Sequence, residues 1–101
     1  MAKDLKKWCR ENWDQVHPLV RKDCVDHIDG WIQKDVILKW KAEGYDHGGF
    51  HFWGGGMQIR NRLREMLTDE ELPPVKYEDG NEYRNWDDYY TGAIDELLER
   101  Y

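Results

Sequence analysis

The stretch Asn85-Trp86-Asp87-Asp88-Tyr89-Tyr90-Thr91-Gly92-Ala93-Ile94-Asp95-Glu96-Leu97-Leu98-Glu99-Arg100-Tyr101 decides the fold. Trp86, Tyr89/Tyr90, Ala93/Ile94, Leu97/Leu98 and Tyr101 recur at spacings of three and four, which puts them on one face of an α-helix. Asn85 and Asp88 supply side-chain acceptors for its first turn, so the sequence predicts an N-cap pair there. A helix with so broad an apolar stripe needs other helices to cover it.

The rest of the chain provides them. Asp4 is placed to cap a first helix through Asn12, with Leu5 and Trp8 on one face. Pro18 suits the first turn of a second helix, whose stripe is Val25, Ile28 and Trp31/Ile32, with Gly30 marking a bend. Residues 34–43 read as a third helix with Val36, Ile37 and Trp40 inward, stopped by Gly44. Residues 57–67 read as a fourth, with Ile59, Leu63 and Met66/Leu67 toward the core. Thr68 with Glu71 is a capping-box signature for one short turn, which Pro73-Pro74 ends. Asp79-Gly80 then signals a tight turn in a polar segment, compatible with a short hairpin over residues 75–84. The expectation is an all-α single domain, a bundle of four to five helices interrupted by a glycine- and aromatic-rich loop at residues 44–56.

Composition sets limits on what such a domain does. The chain has 101 residues, so one core is expected. Apolar residues are only 40% and mean hydropathy is −1.00, but six Trp, six Tyr and two Phe supply large buried areas. No apolar run is long enough to span a bilayer. The first residues, Met-Ala-Lys-Asp-Leu-Lys-Lys, lack the apolar segment of an export signal. Cys9 and Cys24 are therefore expected to be reduced thiols in a cytoplasmic protein. Residues 68–101 hold eleven acidic side chains against three basic ones, more imbalance than the whole chain's net −6. That distribution argues against binding to a nucleic-acid backbone and favours docking on a protein with a basic surface. Asp69, Glu70, Glu71, Glu78, Asp79, Glu82, Asp87 and Asp88 are the candidate partner-binding residues.

The loop holds the second candidate site. Five of the nine glycines lie in residues 48–56. Gly54-Gly55-Gly56 lets backbone amides approach a ligand, and the helix start that follows offers unpaired N–H groups and a positive dipole end. Arg60 and Arg64 are one turn apart on that helix, Asn61 adds a donor, and His51 and Trp53 are placed to stack on a base or sugar. These residues are the expected site for a phosphorylated small molecule or nucleotide signal. No Walker-type or dinucleotide-type glycine motif accompanies them. The competing reading has the arginines pair internally with Asp87, Asp88 or Glu65. Cys24-x-x-His27 and His47-x-x-x-His51 have zinc-like spacings, but His27 sits among carboxylates, so no metal or other cofactor is expected. Asp87-Asp88 with His51 is the only pattern suggesting a metal-assisted hydrolase, and adjacent carboxylates at a helix start ordinarily cap it. No complete catalytic motif is present.

The run His51-Phe52-Trp53-Gly54-Gly55-Gly56-Met57-Gln58-Ile59-Arg60-Asn61 resembles the His-x-x-x-Gly-Met-x-Ile-Arg-Asn box of domain-of-unknown-function family 6794, small bacterial and phage proteins. One extra glycine stands in this chain, and the aromatic-rich continuation after Arg-Asn is absent. Trp86-Asp87-Asp88-Tyr89-Tyr90 occupies the place of the family's later Asp-Asp pair. The resemblance implies that His51, Arg60, Asn61, Asp87 and Asp88 form one cluster, and it implies no particular activity. Small size, surplus aromatics and an acidic final third together suggest a non-enzymatic inhibitor of a host nucleic-acid-directed defence enzyme, anti-CRISPR-like in character.

Overall fold

The computed structural model describes residues 4–44 and 56–101. They form five α-helices and one small antiparallel hairpin: α1 (Leu5–Trp13), α2 (Pro18–Asp29), α3 (Lys34–Glu43), α4 (Gly56–Arg64), β1 (Val75–Lys76), β2 (Glu82–Tyr83) and α5 (Tyr90–Leu98). The mainly helical bundle is as expected. No described helix is long and apolar enough to cross a membrane.

Helix α5 is the centre of the bundle, and α1, α2, α3 and α4 all pack against it. The expected one-sided stripe is therefore too narrow a description. Tyr90, Thr91, Gly92, Ala93 and Ile94 are consecutive and all buried. The small residues opposite the tyrosine–leucine stripe are what let α1 lie directly on α5. Trp13 and Trp86 meet in the core with ring centroids 6.2 Å apart, and Tyr89 packs on Trp86 at 6.5 Å.

Local chemistry sets the helix ends. The Asp4 carboxylate accepts from the Lys7 N–H, as its capping position predicts. The buried face of α1 is Cys9, Asn12 and Trp13, with Trp8 half-buried; Leu5, expected on the face of Trp8, is exposed. Pro18 opens α2, and the His17 imidazole caps it by accepting from the Leu19 N–H. Gly30 ends α2 rather than bending it, so Trp31 falls outside the helix and is partly exposed. Gly44 adopts φ +77° and closes α3, a conformation that favours glycine.

Helix α4 stops at Arg64, short of the expected Leu67. The backbone tightens there, with the Glu65 and Met66 N–H groups donating to the carbonyls of Arg62 and Leu63 three residues back, and the Leu67 carbonyl beyond them accepts the Trp86 indole N–H at 2.9 Å. The Thr68–Glu71 box follows, with the Glu71 carboxylate accepting from the Thr68 N–H at 2.8 Å. The hairpin pairs Val75 with Tyr83 and Lys76 with Glu82 around Gly80, at φ +87°. Asn85 caps a single 3-10 turn, Trp86–Asp88, rather than α5 itself, which begins at Tyr90.

Candidate functional site: an arginine–aspartate clasp beside an acidic hairpin

Helix α4 turns Ile59 and Leu63 into the core, which sends its three arginines to its flanks. Arg60 is largely covered, and its guanidinium donates to the Asp87 carboxylate while lying 5.9 Å from the Tyr90 ring centroid. Asp87 is itself held by the preceding turn. Its N–H donates to Asn85 Oδ1 at 3.1 Å, and Asn85 Nδ2 donates to its second carboxylate oxygen at 3.4 Å. A charge-assisted pair thus ties α4 to the entry of α5.

The neighbouring Asp88 is buried and faces another way. Its side chain accepts from the Tyr77 hydroxyl of the hairpin, and its backbone carbonyl accepts from Asn12 of α1 at 3.1 Å. Burial, then the Asp88 hydrogen bond, pushes the Tyr77 phenol well above its ordinary range, so it remains a donor. Trp8 packs edge-on against Tyr77 at 5.8 Å. The Asp87-Asp88 pair therefore joins three separate segments at the start of α5: α4, the hairpin and α1.

Arg64 does not join this cluster. Its Nε donates to Asp69 at 3.0 Å, and its Nη1 donates to Asn61 Oδ1 at 3.2 Å. Arg62 pairs with Glu65 at 3.3 Å and lies 5.6 Å from the Trp31 ring centroid. Among the residues expected to bind a phosphorylated ligand, Gly56 is the buried first residue of α4, Arg60 faces Asp87, and Asn61 and Arg64 face each other. His51, Trp53, Gly54 and Gly55 lie outside the described residues. The implied cluster is thus met for Arg60 with Asp87, while Asn61 is directed to Arg64. Tyr77 and Asn12 were not anticipated: no local spacing in the sequence links either to Asp88, and the contacts arise only from packing.

The acidic candidates divide into two groups. Asp69, Asp87 and Asp88 are engaged by Arg64, Arg60 and Tyr77. Glu70, Glu71, Glu78, Asp79 and Glu82 are exposed, on the turn after α4 and on the hairpin. Asp79 accepts from the Asn81 N–H at 2.9 Å and from the Tyr83 hydroxyl at 3.0 Å. These bonds hold its carboxyl below the usual carboxylate range.

Among the described residues no group of three or more His, Cys, Asp or Glu side chains is arranged to hold a metal ion. His47 and His51 lie outside them. Cys24 is fully buried, and burial raises its thiol to about 11, which keeps it a protonated core residue; Cys9 is also buried, with its Sγ 3.9 Å from the Asp87 carbonyl oxygen. Among the described residues the carboxylates beside His27, Asp26 and Asp29, pair with Lys22, Arg100 and Lys34 rather than with its imidazole. No protein-family model, curated protein or solved structure matches the chain.

Proposed function

We propose that the chain is a non-enzymatic binding protein that docks its acidic, tyrosine-bearing hairpin side on a basic protein surface. One observation carries the reading. The exposed carboxylates Glu70, Glu71, Glu78, Asp79 and Glu82 lie on the turn and hairpin, with Glu71 and Asp79 bonded only within their own turns, while Asp69, Asp87 and Asp88 are engaged by Arg64, Arg60 and Tyr77. A concentrated negative surface accelerates encounter with a positive one and excludes nucleic-acid backbones. In its sharpest form the partner is a host enzyme whose basic groove handles nucleic acid, and the chain is an inhibitor that competes for the groove. The small size and the resemblance to a phage and bacterial box support that form.

The test is recovery of a protein complex with the tagged full chain. The complex is expected to weaken as salt rises and to be lost when Glu70, Glu78 and Glu82 are replaced by lysine, with the melting temperature unchanged; Glu71 is left in place because it caps the turn at Thr68. A complex indifferent to those replacements, or none at all, overturns the proposal. The rival site at residues 54–64 would require a phosphate to displace Asp87 from Arg60. A thermal shift with nucleotides that Arg60→Ala abolishes would favour that site instead.

A further inference from the structure

Between the turn after α4 and the hairpin lies an open cleft of about 450 Å³, lined by Asp69, Tyr77, Asp79, Tyr83, Arg84 and Asn85. Its aromatic wall is the Tyr77–Tyr83 pair, edge to face with ring centroids 4.6 Å apart. Tyr83 is 42% exposed. Its hydroxyl donates to Asp79 at 3.0 Å, so ring and carboxylate are fixed relative to each other before anything binds. Asp69, held by Arg64, forms another part of the lining and remains partly open to solvent.

We propose that this cleft receives an arginine side chain of the basic partner, with the guanidinium against the Tyr83 ring and its N–H groups on Asp79. The inference rests on the acidic-docking reading and names the group that surface recognises. A guanidinium is planar, weakly hydrated and always charged, so it both stacks on an aromatic face and bonds a carboxylate. The molecule already contains that combination internally, where Arg60 pairs with Asp87 over the ring of Tyr90. The exposed Glu78 and Glu82 on the same hairpin add to the attraction for a cation. A carboxylate already positioned by Asn81 and Tyr83 loses little freedom on binding.

Arg84 lines the same cleft, and among the described residues it makes no ion pair with Asp69 or Asp79. It is exposed and acts as a local competitor for the incoming cation. Its removal is expected to tighten binding more than removal of Lys76, which lies on the same hairpin outside the cleft.

The experiment titrates the full chain with a soluble arginine–glycine peptide, by calorimetry and by the NMR shifts of the tyrosine rings. Tyr83→Leu keeps net charge and an apolar strand residue but removes the ring; it should weaken binding about tenfold. Tyr83→Phe keeps the ring and should stay within about threefold of the native chain. Arg84→Ala should bind more tightly than Lys76→Ala. Native affinity in Tyr83→Leu, with the hairpin shifts intact, overturns the cleft, as does equal tightening by Arg84→Ala and Lys76→Ala. If lysine replacement of Glu70, Glu78 and Glu82 abolishes peptide binding while Tyr83→Leu does not, acidic docking stands and the cleft falls. If neither change matters, both fall.

Discussion

Replacing Gly92 by alanine should destabilise the protein, although alanine is the better helix former. Gly92 sits in α5 where α1 crosses it. A Cβ added there would lie 2.5 Å from the Trp13 Cβ, 2.7 Å from the Cys9 carbonyl oxygen and 3.1 Å from the Arg10 Cα. None of these atoms belongs to a flexible side-chain end, so no rotamer change relieves the clash. Helix α1 has to move away from α5, which also strains the Asn12 bond to the Asp88 carbonyl. Overpacking of this kind costs about 1–3 kcal/mol, and the backbone obstacles place Gly92 at the upper end. The helix-propensity gain offsets about 1 kcal/mol. The expected net loss is about 2 kcal/mol, a fall in melting temperature of about 8–16 °C for a chain of this size. Thermal and urea denaturation followed by circular dichroism measure it. Gly30→Ala is the control, because its Cβ would meet nothing closer than 3.6 Å and should be neutral or slightly stabilising. A Gly92→Ala variant as stable as the native chain would refute the close crossing.

Two further outcomes follow from the ion pairs. Arg60→Ala and Asp87→Asn should each lower stability, and a double-mutant cycle should give a coupling of about 1–2 kcal/mol, below that of a fully buried pair because Asp87 is partly exposed; coupling near zero removes the clasp. The Tyr101 hydroxyl and then Lys34 depress the Asp29 carboxyl below its usual range. Its contribution is therefore complete above the unfolded-state value of about 4 and lost as pH falls through the lower folded value, so melting temperatures should drop below about pH 4 and the drop should be shallower in Asp29→Asn.

Periodicity revealed most of the helices because they satisfy local rules: a capping carboxylate at Asp4, a first-turn Pro18, a terminal Gly44, a capping box at Thr68. What it missed comes from tertiary demand. Nothing local shows that Trp86 will take the Leu67 carbonyl just beyond α4. A stripe count also cannot see that Thr91 and Gly92, polar and small, are as buried as Ile94. The Arg60–Asp87 contact was legible only as a choice between an internal pair and a ligand, because charge counting supplies candidate partners without geometry. Tyr77 with Asp88 was not legible at all, since a hairpin tyrosine and a helix-entry aspartate share no periodic relation.

The division of the carboxylates changes how loss of function should be read. Asp69, Asp87 and Asp88 carry the same charge as Glu70, Glu78 and Glu82, and in a sequence-level account all six belong to one acidic surface. In the fold, reversing Asp87 places a cation against Arg60 beside the core, and reversing Asp88 puts one among Tyr77 and Asn12. Those variants lose stability first, and any lost binding is secondary. Reversing Glu82 touches only solvent and the hairpin surface, so its effect on stability should be small. Binding lost in Glu82→Lys at unchanged melting temperature is therefore evidence for an interface, whereas binding lost in Asp87→Lys is evidence only for the clasp. An acidic scan that omits the melting temperature would merge the two and assign the interface to residues that hold the helices together.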